Sequence, residues 1–285
     1  MRIDSHQHFW EYNELEYRWI SDEMGHLRRS FLPKDLEQSI KELNLNGCIA
    51  VQARQCLEEN DFLLDLAEKS DIVKGVVGWV DLCSTSVQHQ LEVYAANPYF
   101  KGVRHVLHDE LDDKFMLRED FQKGIELLSM YGLTYDLLIF PKHIPYAIQL
   151  VEKFPKQKFV LDHLAKPDIK NQVIKGWAEG ITTLASFENV YCKLSGMVTE
   201  ADWLNWRETD FYPYLDHIFK SFSSKRVMIG SDWPVCTVSC DYQKTMNIVL
   251  RYLERFPSEI KERIMGGNCA TVYNLKNNIG FIIEE

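Results

Sequence analysis

Long apolar runs are missing from this 285-residue chain. No stretch of roughly 18 apolar residues is present, so no segment reads as a membrane-spanning helix, and no basic opening leads into the apolar core of a secretion signal. Basic charge is in deficit: 32 Lys and Arg against 42 Asp and Glu give a formal charge of −10. That balance repels phosphate backbones and anionic lipid heads, which argues against nucleic acid and membrane surfaces as partners. A disulfide framework is also lacking. The seven cysteines, including Cys236 and Cys240, are odd in number and scattered. They read as buried thiols of a soluble, cytoplasmic protein. Linkers, repeats and low-complexity tracts are absent, so residues 1–285 are taken as a single domain.

What is present is a regular alternation of short apolar runs and amphipathic stretches. The strand candidates are residues 2–8, 47–54, 72–82, 101–106, 133–140, 158–166, 190–196 and 226–233. Helical spacing of apolar residues appears at Leu36, Ile40 and Leu43; at Phe62, Leu66 and Ala67; at Phe121, Ile125 and Leu128; and at Ile248, Val249 and Tyr252. Pro33 suits a first helical turn. Strand then helix, repeated eight times over about 250 residues, predicts an α/β fold of the closed (β/α)8 TIM-barrel type. An open dinucleotide-binding sheet would need a glycine-rich turn after its first strand, and HQHFW stands there instead. Two connections, 9–32 and 197–210, are too long for simple turns and follow strand C-termini, where a barrel binds its ligand. They are candidate lids.

Polar residues gather at those same strand ends. His6 and His8 alternate onto one face of the first strand. Asp162 and His163 interrupt an apolar sixth strand, and burying them without partners would cost a few kcal/mol each. Asp232 closes the eighth strand in IGSDWP. Closure of a barrel brings His6, His8, His163 and Asp232 to one mouth, and imidazole with carboxylate suits zinc or manganese. Arg54, Arg104, Gln52 and Lys166 flank these positions as candidate substrate contacts, since a guanidinium offers forked donors to hydroxyls and carboxylates. Trp10, with Trp79 and Trp233, offers ring faces suited to the C–H face of a sugar. His105 and His108 read as loop histidines beside an acidic neighbour such as Asp109. Asp136, set in an apolar strand, calls for a buried cation or backbone donor.

The segments DSHQHFW, VQARQCLEEN, VVGWVDL, KGVRHVLHDE, LDHLAKP, KLSGMVTEADW, GSDWP and GGNCATVYNL together resemble the amidohydrolase superfamily. Within it they resemble the lactonase-like, amidohydrolase-related branch. The resemblance implies an amidohydrolase-like barrel and a hydrolase that opens a small sugar-acid lactone. It also implies that His6, His8, His163 and Asp232 form the ligand and catalytic set, with Asp232 as general base. Members with two metals carry a carboxylated lysine at the end of the fourth strand. GVRHV has Arg104 and His105 there, so one divalent ion, zinc first, is what the resemblance implies, in a branch whose members turn over with or without it. The rival expectations are a metal-dependent amidase or decarboxylase on the same barrel, and a sugar-binding barrel without catalysis.

Overall fold

The structure is a computed structural model that describes residues 1–275; positions 276–285 of the 1–285 span lie outside the described residues. Eight strands follow one another in sequence order around one sheet: β1 (Ile3–Gln7), β2 (Gly47–Val51), β3 (Val73–Gly78), β4 (Phe100–His105), β5 (Thr134–Leu137), β6 (Phe159–Leu161), β7 (Val190–Leu194) and β8 (Val227–Ile229). Neighbouring strands are parallel throughout. The sheet returns on itself where Gln7 bridges Trp233, with Asp232 N donating to His6 O (2.8 Å) and His8 N to Trp233 O (2.7 Å). The expected (β/α)8 barrel is therefore the observed one. Burial on both faces is why β2, β6 and β8 read as continuous apolar runs, whereas β1 (IDSHQ) buries polar side chains.

A helix follows each strand: α1 (Pro33–Glu42), α2 (Leu57–Lys69), α3 (Val87–Ala95), α4 (Glu119–Leu128), α5 (Ile144–Lys153), α6 (Trp177–Ala185), α7 (Glu208–Phe222) and α8 (Tyr242–Leu253). Pro33 does open α1, and the Asp35 carboxylate accepts from Leu32 N (2.8 Å) at its start. The buried face of α2 differs from the expected one. Leu63, Leu64 and Ala67 face inward, while Phe62 and Leu66 are half-buried. Polar anchors set this rotation: Glu59 accepts from Ala53 N (2.8 Å), and Asn60 grips both the N and the O of Trp79 (2.8 and 2.6 Å).

The last described elements are α9 (Ser258–Glu262) and α10 (Asn268–Val272), and α10 with the turn Arg263–Gly267 before it closes the N-terminal end of the barrel. Val272, Tyr273 and Leu275 pack there with Ile3, Ile49, Val51, Val77, Val160 and Met228. At the opposite rim lie the two long connections. Residues 9–32 fold back on themselves through a Trp10–Phe31 bridge and a short helical turn over Asp22–Leu27. The second connection ends at 207, because residues 208–210, expected within it, form the first turn of α7. Among the described residues no helix is long and apolar enough to cross a membrane.

Candidate active site

The register of β1 turns His6 and His8 to the same side, and their Nε2 atoms stand 3.2 Å apart. Asp232 reaches them from the end of β8. Its Oδ1 lies 3.3 Å from His8 Nε2, 3.8 Å from His6 Nε2 and 3.8 Å from His163 Nε2. All four side chains are buried or nearly so. His8 Nδ1 lies 2.8 Å from Val51 O, and a carbonyl only accepts, so that nitrogen carries the proton and Nε2 presents a lone pair. His163 Nδ1 meets Ser195 Oγ at 2.9 Å. Burial drives the pKa of both His6 and His163 well below the ordinary histidine value, so both rings are neutral at pH 7.

Local backbone brings His163 to the rim at some cost. His163, Leu164, Ala165 and Lys166 all have positive φ, from 49° to 59°. For residues with a Cβ this left-handed turn costs about 1–2 kcal/mol each. It persists because Trp177 Nε1 holds Leu164 O (2.7 Å) and Lys166 N closes on His163 O (2.7 Å). The turn sends His163 and Lys166, three residues apart, to the same cavity. Gly196 makes room for the ring: its φ is +60°, and a Cβ there would stand 2.5 Å from His163 Nδ1.

Below the histidines lies a layer of buried charge. Lys193 of β7 is wholly buried, with Nζ 2.6 Å from Asp136 Oδ2, 3.0 Å from Asp162 Oδ1 and 3.2 Å from His6 Nδ1. Tyr273 Oη donates to Asp136 Oδ2 (2.7 Å) from the barrel floor. Arg104 Nη1 stands 3.2 Å from both Asp162 Oδ2 and His6 Nε2. Burial alone would raise the Asp162 pKa, but Lys193, His6 and Arg104 overcome it and hold the carboxyl well below the usual range. Burial would likewise lower that of Lys193, yet Asp136 and Asp162 raise it, so the ammonium stays charged. Asp136 thus has the buried cation its sequence context called for. Lys193 was not anticipated, although a single cation within VYCKLSG carries the same signal as Asp162 within FVLDHL.

These donors suit one divalent ion. Ligand atoms at bonds of about 2.0–2.1 Å on a tetrahedron stand about 3.3 Å apart, which the His6–His8 (3.2 Å) and His8–Asp232 (3.3 Å) separations match, while His6–Asp232 is wider at 3.8 Å. Arg104 adds a permanent positive charge beside His6, where a second dication would be repelled.

Above the cluster opens a cavity of about 530 Å³, in the size range of small-molecule sites. His8, His163, Asp232, Arg54, Arg104 and Lys166 line it. His6 lies one layer deeper. Two expected contacts are elsewhere. Gln52 is fully buried, and its side-chain and backbone oxygens hold the Arg104 guanidinium (2.5 to 3.0 Å). Trp10 is also fully buried; its Nε1 donates to Arg29 O (2.8 Å), and its ring packs on Tyr17, Trp19 and Phe31. Trp79 and Trp233 do not line the cavity either. Its indoles are Trp19 and Trp203, one from each long connection. His105 is paired with Glu110 (2.7 Å) rather than Asp109, while His108 meets Asp109 at 2.8 Å and faces the cavity.

Comparison with known proteins fits this geometry. A family model described as amidohydrolase matches residues 3–275. The L-fucono-1,5-lactonase of Burkholderia multivorans is 36% identical, over 96% of this chain and 96% of its own length. That of Burkholderia ambifaria is 32% identical, over 98% and 97%. A crystal structure of an amidohydrolase from Burkholderia multivorans with bound zinc covers 97% of this chain and 100% of that one, at 35% identity and a TM-score of 0.93.

Proposed function

This chain belongs to the amidohydrolase family, and from that membership we propose that it is a lactonase opening a small sugar-acid lactone such as L-fucono-1,5-lactone. The observation that carries the reading is the meeting of three imidazoles and the Asp232 carboxylate, from strands far apart in sequence, within 3.2 to 3.8 Å beneath one cavity. A non-catalytic sugar pocket has no use for such a set. The lactonase relatives, similar over nearly their full length, support the substrate class.

In this reading Asp232 takes a proton from a water at the cavity floor while the water oxygen bonds to the lactone carbonyl carbon. Charge developing on the carbonyl oxygen is met by the fixed Arg104 guanidinium and by the Nε2 edge of His163, whose Nδ1 meets Ser195 Oγ. As the ring C–O bond breaks, Asp232 returns the proton to the departing ring oxygen, leaving an open hydroxy acid. Gln52 and Asp162 keep the guanidinium in place through the reaction. A divalent ion, zinc in our reading, would be held by His6, His8 and Asp232 beside His163 and would supply Lewis acidity to the site. All seven cysteines are free thiols, which supports action in the reducing cytoplasm.

A panel of aldono-1,4- and 1,5-lactones, followed by acid release with and without chelator, tests the function. Turnover of at least one aldonolactone is expected. Silence across the panel, with chelator-sensitive cleavage of an amide or decarboxylation of an aromatic acid, would replace the reading with the metal-dependent alternative.

A further inference from the structure

The cavity is rich in cations, yet each of them is already engaged. Arg54, which follows β2, gives Nη1 to Glu16 (2.5 Å) and Nε to the buried Glu59 (2.7 Å). Lys166, at the end of the left-handed turn, is paired with Glu200. Arg104 is held by Asp162 and Gln52. His108 faces Asp109 at 2.8 Å, and burial pushes its pKa down to about 4, so it adds no positive charge at neutral pH. The two neutralising carboxylates at the cavity wall come one from each long connection: Glu16 from 9–32 and Glu200 from the segment ending at 207. Lys170 N donates to Glu200 O (2.9 Å), fastening that second connection against the chain after β6.

We propose that Glu16 and Glu200 are specificity-determining residues: by occupying Arg54 and Lys166 they make the cavity select uncharged polyhydroxy lactones and reject lactones that carry a carboxylate. A substrate carboxylate entering the cavity finds no unpaired guanidinium or ammonium. It meets Glu16, Glu200 and Asp109 instead, and rejection by like charge is a common source of specificity. Hydroxyl groups are served well by the same arrangement, since each cluster offers both donors and acceptors: Lys166 with Glu200 is neutral, and Arg54 with Glu16 and Glu59 is net negative. The effect falls mainly on Glu200. Lys166 loses its carboxylate when Glu200 is replaced, whereas Arg54 keeps Glu59 when Glu16 is replaced.

This inference rests on the lactonase reading, and its test separates the two. Hydrolysis of an aldono-1,4-lactone is compared with that of the matching aldaro-1,4-lactone, which differs only in a terminal carboxylate. For the wild type, kcat/KM for the acid lactone is expected to be lower by about a hundredfold or more. In Glu200→Gln the ratio narrows by about tenfold, and in Glu16→Gln/Glu200→Gln further, with part of the gain reversed by salt. Glu200→Asp, which keeps the charge, holds the ratio near that of the wild type, and Glu16→Gln alone gives a second reading if the Glu200 variant folds poorly. Equal kcat/KM for the two lactones in the wild type, or an unchanged ratio in the double variant, overturns the inference and leaves the lactonase reading standing. Failure to open any aldonolactone, 1,4 or 1,5, overturns the lactonase reading, and this inference with it.

Discussion

The two ends of the barrel interior are built on opposite principles. At the N-terminal end, Ile3, Ile49, Val51, Val77, Val160 and Met228 close over Val272 and Tyr273, an apolar plug. At the C-terminal end the interior side chains are histidines, carboxylates and guanidinium, and the backbone turns left-handed through four consecutive residues. One end supplies the burial that stabilises the barrel; the other holds groups whose exposure to substrate requires strain and buried charge. Lys193, Asp136 and Asp162 form the boundary, and Tyr273 touches it from below while His6 touches it from above. A buried ionic layer thus lies between the rim and the plug.

Breaking that layer should have the largest effect. Lys193→Met leaves two buried carboxylates without their ammonium and is expected to cost about 3–5 kcal/mol of stability. Urea unfolding measures this, and Lys193→Met/Asp136→Asn should recover part of the loss. A loss below about 1 kcal/mol would mean that the layer does not hold the two ends together. A change at the rim alone should sort differently. Gly196→Ala puts a methyl group against the His163 ring in a left-handed backbone, so kcat should fall by roughly ten- to a hundredfold while stability drops by about 1 kcal/mol. A loss of stability without loss of turnover would contradict the placement of His163.

The smallest effect is a pH dependence. His108 has its pKa lowered from an ordinary 6.5 to about 4 by burial, with Asp109 opposing. The unfolded chain thus binds the proton more readily, and this group's contribution to stability is present above pH 6.5 and lost as pH falls toward 4. Thermal melts of His108→Gln across that window should show a flatter acid arm than the wild type. Identical arms would show that His108 is not held neutral in the fold.

The plug and the rim also differ in how far the sequence reveals them. Strand runs, strand order and the convergence of His6, His8, His163 and Asp232 are legible because a parallel barrel leaves long apolar runs in which each polar residue stands out. The cavity walls are not legible in this way. Trp10 lies beside the histidines in sequence, but an indole with a backbone acceptor at Arg29 and three aromatic neighbours packs inward. Trp19, Trp203, Glu16 and Glu200 sit on irregular connections where no periodicity indicates direction. Gln52 and Ser195 act through other side chains, a role with no local pattern. Lys193 could have been found by asking, as for Asp162, what a lone charge does inside an apolar strand.

The most direct test of the account is turnover of an aldonolactone by Asp232→Asn beside the wild type, with unfolding midpoints measured on the same samples. A loss of at least about a hundredfold in kcat with a nearly unchanged midpoint is the predicted result. Turnover equal to that of the wild type in the folded variant would contradict it.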